Sequence, residues 1–305
     1  MLVATGASNL GKIAGALPHA LARRARDGAP AATTGVALAT GEGWSVADVI
    51  CTAGPDDRAF EERHTRMSIA ITLAGTFQYR SGRGRAFMTP GALLLGNAGE
   101  CFECGHEHAA GDRCIAFRYE AELFDRIAAD AGVKRSERRF HTPRLPPTKR
   151  ISPLAVRAAA AADDPASLAW EELAVELAAT ALRDSTVTSL SNVALTSAAT
   201  ARVTESVRRI EASPAEPWRL QQLAADAGQS PYHYLRIFQQ VAGVTPHQFI
   251  LRARLREAAR QLHAEDTRVI EIAFTAGFGD LSNFNKSFRA EFGVTPREWR
   301  AGRGR

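Results

Sequence analysis

The stretch ECFECGHEHAAGDRC, Glu100 to Cys114, holds three of the chain's four cysteines and two of its eight histidines. Thiolate sulfur and imidazole nitrogen are the donors of tetrahedral zinc sites. If the stretch is a hairpin turning at Ala109–Asp112, strand alternation puts Cys104, His106 and His108 on one face. A register that pairs residue 104 with 114 adds Cys114, and Cys101 points the other way. A bend at Gly105 gives instead a knuckle in which Cys101 and Cys104 bind together. Either grouping offers four nitrogen and sulfur donors, a set that fits zinc without requiring it. The same residues also compose a two-cysteine redox switch, with Arg113, His106 and His108 favouring a neighbouring thiolate. A His-x-His pair can hold a catalytic metal, and polar residues packed at a barrel mouth need no chemistry at all. All four readings stay open at this point.

The elements that must position this cluster are strands. Residues 44–120 mix β-branched and aromatic residues with turn signals: MSIAITLAGTFQY (Met67–Tyr79), a turn at SGRGR, and Pro90-Gly91 between two short runs. Several short strands so punctuated predict a sandwich or small barrel. Helices follow, at Glu120–Ala131 (Leu123, Phe124, Ile127 and Ala128 at helical spacing) and at Pro165–Arg183. TPRLPPTKR, Thr142 to Arg150, is a proline-rich connector. DSTVTSLSNVALTSA, Asp184 to Ala198, is small and polar and reads as an interdomain linker.

A chain of 305 residues predicts two domains. No apolar run approaches the ~20 residues of a membrane span. The net charge of +5 is not evenly spread: residues 1–199 hold 22 Lys+Arg against 22 Asp+Glu, residues 200–305 hold 16 against 11. A basic module beside a neutral one points to a polyanionic partner. Four cysteines, and no basic start leading into an apolar stretch, predict a reducing, cytoplasmic compartment without a signal peptide. Residues 1–40 are small and Gly/Ala-rich and read as a flexible extension. GASNLGKI (Gly6–Ile13) nearly matches a phosphate-binding loop, but Ile13 stands where the loop needs a hydroxyl for magnesium.

The last third nearly repeats itself. LQQLAADAG (Leu220–Gly228) matches VIEIAFTAG (Val269–Gly277) at an offset of 49, and RIFQQVAGVTP (Arg236–Pro246) matches KSFRAEFGVTP (Lys286–Pro296) at 50. Each copy reads as a short helix, a glycine turn at Gly228 or Gly277, then a second helix capped by Ser230-Pro231 or by Asp280. That is a helix-turn-helix. The outward faces of the second helices are Tyr232, Leu235, Arg236 and Gln239, and Ser282, Asn283, Asn285, Lys286 and Arg289. Arg and Lys bond guanine edges, and Asn or Gln can pair with adenine. A helix from Thr245 to Leu262, about 25 Å long at ~1.5 Å per residue, separates the copies. It could hold two reading helices near one DNA turn, about 34 Å, apart.

SPYHYLRIFQQVAGVTPHQFILRARLREAARQL and VIEIAFTAGFGDLSNFNKSFRAEFGVTPREW, within residues 201–300, resemble the AraC/XylS family of bacterial transcription regulators. The resemblance implies base-contacting residues at Tyr232, Leu235, Arg236, Leu281, Ser282, Asn283, Asn285 and Lys286. Leu235 departs from the polar residue often found there, and its chemistry suits a thymine methyl. It also implies a cupin-like N-terminal domain that senses a small molecule and often dimerises. The expected fold is α+β and multidomain. It comprises a flexible extension (1–40), a β-rich cupin-like barrel with flanking helices (41–184), and a linker (185–199). An all-α double helix-turn-helix domain (200–300) and a basic tail (301–305) complete it. The expected function is sequence-specific regulation of transcription, with promoter DNA and RNA polymerase as partners, an effector that is a small molecule, metal or oxidant, and a homodimer as the assembly. No membrane partner is expected. The alternative is a cupin-type metalloenzyme carrying a DNA-binding tail. Such enzymes usually carry two separated histidine motifs, and downstream of His106-x-His108 there is no second.

Overall fold

The computed structural model of the chain describes residues 16–59, 61–163, 170–187, 196–264 and 266–302. They divide into two compact units. The first takes in the described residues of Met1–Pro146 and Ala161–Asn192, the second those of Pro147–Ala160 and Val193–Arg305. Among the described residues no helix is long and apolar enough to cross a membrane.

The first unit holds ten strands: β1 (Thr33–Gly41), β2 (Trp44–Cys51), β3 (Glu61–Arg63), β4 (Met67–Gly75), β5 (Phe77–Ser81), β6 (Gly84–Met88), β7 (Leu93–Gly96), β8 (Cys101–Gly105), β9 (Asp112–Tyr119) and β10 (Arg144–Leu145). They form a six-stranded sheet in the order β1-β2-β9-β4-β7-β10 and a four-stranded sheet in the order β3-β8-β5-β6. Every pairing between them is antiparallel. Phe77, Tyr79, Ala86 and Met88 of the smaller sheet pack on Leu94, Ala70 and Cys114 of the larger one, with Phe102 and Cys104 of β8 beside them. This is the layered β architecture that the spacing of strands and turns predicts. The expected run from Met67 to Tyr79 is two strands. Gly75, at φ +77°, ends β4, and a Cβ there would lie 2.1 Å from the Gly111 carbonyl oxygen, so only glycine fits.

The larger sheet's other face is covered by helices α2 (Ala121–Asp130) and α4 (Trp170–Val187). Phe117 meets the Trp170 ring at 6.2 Å between centroids, and the Tyr119 hydroxyl donates to the Ala174 carbonyl at 2.8 Å. β9 is therefore buried on both faces, so its apolar residues do not alternate cleanly. In the helix expected over 165–183, Leu173, Leu177 and Leu182 are buried and Val175 is exposed. Residues 164–169, where it was expected to begin, lie outside the described residues.

The structure departs from the flexible extension expected over residues 1–40. Ala16–Asp27 is a helix, α1, and β1 pairs along its length with β2. β1 reads TTGVALATG and is mostly exposed. A strand held by backbone bonds at a sheet edge leaves little hydrophobic pattern to read. The near match to a phosphate-binding loop at Gly6–Ile13 lies outside the described residues. So do residues 188–195 of the expected linker and Arg303 and Arg305 of the expected basic tail. At the linker's ends, α4 continues to Val187 and α5 begins at Ser197.

Helix α3 (Ser152–Asp163) is shared between the two ranges. The second unit then runs through α5 (Ser197–Ala212), α6 (Leu220–Asp226), α7 (Pro231–Ala242), α8 (Pro246–Ala264), α9 (Val269–Thr275), α10 (Leu281–Phe292) and α11 (Pro296–Ala301). The two halves repeat in their punctuation as well as in their order. α7 and α10 both end on a left-handed glycine, Gly243 and Gly293, each at φ +80°. α8 and α11 both open on Thr-Pro, with the Thr side chain accepting from the third residue on and a Gln248 or Glu298 side chain reaching back. The second half is built on a ladder of rings, Phe278, Phe284, Phe288, Phe292 and Trp299. The Trp299 indole N–H is anchored on the Ala259 carbonyl of α8 at 3.2 Å. The 19 residues of α8 make a rod of about 28 Å at ~1.5 Å per residue.

Candidate functional site

The caps fix where the two candidate reading helices begin. Ser230 Oγ accepts from the His233 amide at 3.3 Å, and Asp280 Oδ1 accepts from the Asn283 amide at 2.7 Å. Tyr234, Phe238 and Val241 of α7, and Phe284, Phe288 and Phe292 of α10, turn into the core at helical spacing. The opposite faces are solvent-exposed: Tyr232 (71%), Arg236 and Gln239 on α7, and Ser282, Asn283, Asn285, Lys286 and Arg289 on α10. No acidic residue stands in the first turn of either helix. The Arg236 guanidinium lies 6.0 Å from the Tyr232 ring centre, so ring and cation share one patch. Leu235 and Leu281 differ from the rest. Both are half-buried, and Leu281 packs against the second half's core. The exposed faces thus carry hydrogen-bond donors, amides and three cations, the groups that read base edges and phosphates.

The Cys/His stretch does not fold as a hairpin. β8 lies in the smaller sheet and β9 in the larger, so the two do not pair. Cys104 stands opposite Tyr79, and Cys114 stands between Val49 and Thr72. The knuckle is absent too. β8 stays extended through Gly105, and alternation sends Cys101 and Cys104 to opposite faces. Cys101 pairs across to Arg63 near the sheet edge. His108 sits in the connecting loop, with Nε2 3.9 Å from Glu107.

What the fold brings together is a different set. β2 and β9 place Cys51 directly opposite Asp112. The chain leaving β8 carries His106 in from the facing sheet, its ring 5.9 Å from that of Phe77. A sulfur of Cys51, a ring nitrogen of His106 and a carboxylate oxygen of Asp112 lie within 4.8 Å of one another. His106 Nε2 is 2.7 Å from Asp112 Oδ1, and the Cys114 thiol is 3.4 Å from Asp112 Oδ2. His106 Nδ1 is buried with no hydrogen-bond partner among the described residues. The preceding loop is locked by Gly111, at φ +75°, where a Cβ would lie 2.8 Å from Leu17 of α1.

The electrostatics oppose the activated-thiol reading. Burial, reinforced by Asp112, pushes the Cys104 and Cys114 thiols well above their ordinary range, and pushes Cys51 up as well. Arg113, expected to stabilise a thiolate, is turned away. Its guanidinium donates to both carboxylate oxygens of Asp48 at 2.8–3.2 Å. Four free thiols remain, at Cys51, Cys101, Cys104 and Cys114.

Two family models match the chain, an AraC-like ligand binding domain over residues 48–182 and a helix-turn-helix domain over residues 223–302. The probable transcription factor PqrA of Proteus vulgaris is 32% identical over 82 residues, covering 27% of this chain and 67% of PqrA. The chain belongs to the AraC family of transcription regulators. The activator RclR of Escherichia coli K12, named as RCS-specific, is 36% identical over 87 residues, 28% of this chain and 31% of RclR. The activator RhaS of Klebsiella pneumoniae is 43% identical over 68 residues, 22% of this chain and 24% of RhaS. For RclR and RhaS the match thus spans less than a third of the relative's own length. All three are named for transcription, and none for an enzyme.

In this AraC-family chain the sequence pattern placed the exposed faces of α7 and α10, because capping and helical spacing are local. It missed Cys51 and Asp112. The one signal available for Cys51 was that it is the fourth cysteine, and nothing local says that the strand ending there pairs with one beginning 61 residues later.

Proposed function

We propose that the chain is a sequence-specific transcription regulator that reads double-stranded promoter DNA with α7 and α10. The observation that carries this reading is the repeat. Two capped helices present Tyr232, Arg236 and Gln239, and Ser282, Asn283, Asn285, Lys286 and Arg289, to solvent, with no acidic residue at a first-turn position and the Asp280 carboxylate engaged as the cap of α10. Leu235, half-buried at the rim of its face, is suited to a thymine methyl, and Leu281 serves the core. The basic balance of residues 200–305 supports the same partner. The first unit is the sensor. Its ligand is a small molecule, a metal or an oxidant, and the buried cluster at His106 is the entry point. The signal shifts a population between forms that bind DNA or engage RNA polymerase differently. The working assembly is a homodimer in the cytoplasm.

Genome-wide mapping of bound sites, with and without added metals and thiol oxidants, tests this reading. Discrete promoter sites sharing one sequence motif are expected, with occupancy that responds to one of the additions. Uniform, motif-free occupancy would contradict sequence-specific reading. Turnover of a substrate by the metal-loaded protein would favour the metalloenzyme instead.

A further inference from the structure

The geometry points to a binding site for one divalent cation of the zinc class, held by Cys51 Sγ, a ring nitrogen of His106 and a carboxylate oxygen of Asp112. The ion's role as a signal rests on the proposed reading of the first unit as the sensor, whereas its binding does not. Three observations carry the site. The ligand atoms converge within 4.8 Å although they come from β2, from the loop that leaves β8 and from β9. Zinc bonds of about 2.0–2.3 Å close that set with a small inward movement of the side chains. The His106 side chain is wholly buried, yet its Nδ1 has no partner among the described residues, and a native interior rarely leaves a polar atom so. Asp112 is held from behind, since the Cys114 thiol reaches the carboxylate oxygen opposite the one that His106 approaches. Such support behind a ligand is what fixes its orientation in metal sites.

The donor set decides the class of ion. A thiolate with an imidazole disfavours magnesium and calcium, which take oxygen ligands. One sulfur, one nitrogen and one oxygen suit zinc, with a fourth position left for water. Cys104 packs against the same core cluster as Cys114 and is not one of the converging ligands. Binding replaces the Cys51 S–H bond with a sulfur–metal bond and releases one proton to solvent, with no change of oxidation state.

The test uses the full chain, stripped of metal by a chelator and titrated with Co²⁺ as a spectroscopic probe, then with Zn²⁺. One Co²⁺ per chain is expected, with a thiolate-to-cobalt charge-transfer band that Zn²⁺ abolishes. Cys51→Ser and Asp112→Asn should each weaken binding at least tenfold, while Cys101→Ser and His108→Ala leave it unchanged. Asp112→Asn preserves shape, so it carries the test if Cys51→Ser does not fold by circular dichroism. No bound ion, undiminished affinity in both site variants, or loss of binding in Cys101→Ser would overturn the site. The same samples are titrated onto a target promoter fragment. A change in DNA affinity with Zn²⁺ supports the ion as signal. Bound Zn²⁺ with unchanged DNA affinity overturns that role and leaves the site standing. A DNA response to another effector in protein that binds no ion overturns the site and leaves the sensor reading standing.

Discussion

His64 is buried in the first unit, stacked on Phe102 at 4.1 Å between ring centroids, with Nε2 2.8 Å from the Tyr79 hydroxyl. Burial, aided by the charge of Arg118 and opposed by Glu100, holds its imidazole down to about 4. In the unfolded chain the group titrates near its ordinary ~6.5. Between those values the unfolded state takes up a proton that the folded state refuses. Stability is therefore fully present above about pH 6.5 and falls as pH drops towards 4, by about 2–3 kcal/mol from this group. Urea unfolding at pH 7 and pH 4.5 should show a smaller acid loss in His64→Phe than in the parent protein. An equal loss in both would contradict the assignment. His106 could be picked out from sequence as a candidate because histidine beside cysteines is unusual. Cys101 and His108 looked equally good there, and only the strand directions separate them from Cys51 and Asp112.

At the scale of elements, the two helix-turn-helix units share a glycine turn but not its surroundings. Gly228 and Gly277 both take positive φ, +63° and +85°. Among the described residues a Cβ at Gly228 meets nothing within 4 Å, whereas one at Gly277 would lie 2.6–2.7 Å from the Ala215 backbone. Gly228→Ala should cost about 1 kcal/mol, the ordinary left-handed penalty. Gly277→Ala should cost clearly more, because backbone rather than a flexible side chain must move. Thermal unfolding of the two variants side by side checks this, and equal losses would contradict it. Replacing the Asp280 cap with Ala should remove about 1 kcal/mol and fray the start of α10, visible as faster amide exchange at Asn283. These helices were legible because caps, glycine stops and apolar spacing all act within four residues. β1 and α1 were not legible, because β1 is held to β2 by backbone bonds and its TTGVALATG side chains are mostly exposed.

At the scale of the molecule, charge follows function: the excess of Lys+Arg over Asp+Glu falls in residues 200–305, while residues 1–199 balance. That division was readable from composition, but the compact units do not follow it throughout: Pro147–Ala160, with Lys149, Arg150 and Arg157, falls in the second unit although the expected sensor domain ran over 41–184. The layered sheets of the first unit could be foreseen only as a class, since their order depends on pairings between distant segments such as β2 with β9. Joint reading of DNA by α7 and α10 is tested by the salt dependence of binding. Affinity for a mapped promoter fragment would be measured by fluorescence anisotropy over a range of salt, for the full chain and for the Arg236→Ala/Lys286→Ala double variant. Each lost contact should remove about 1–3 kcal/mol. The slope of log K against log salt should shrink by about one for each cation that was neutralising phosphate. The expected result is binding weakened at least thirtyfold, by the lower bound of those energies, with a shallower slope. A folded double variant that keeps the parent's affinity and slope would contradict joint reading.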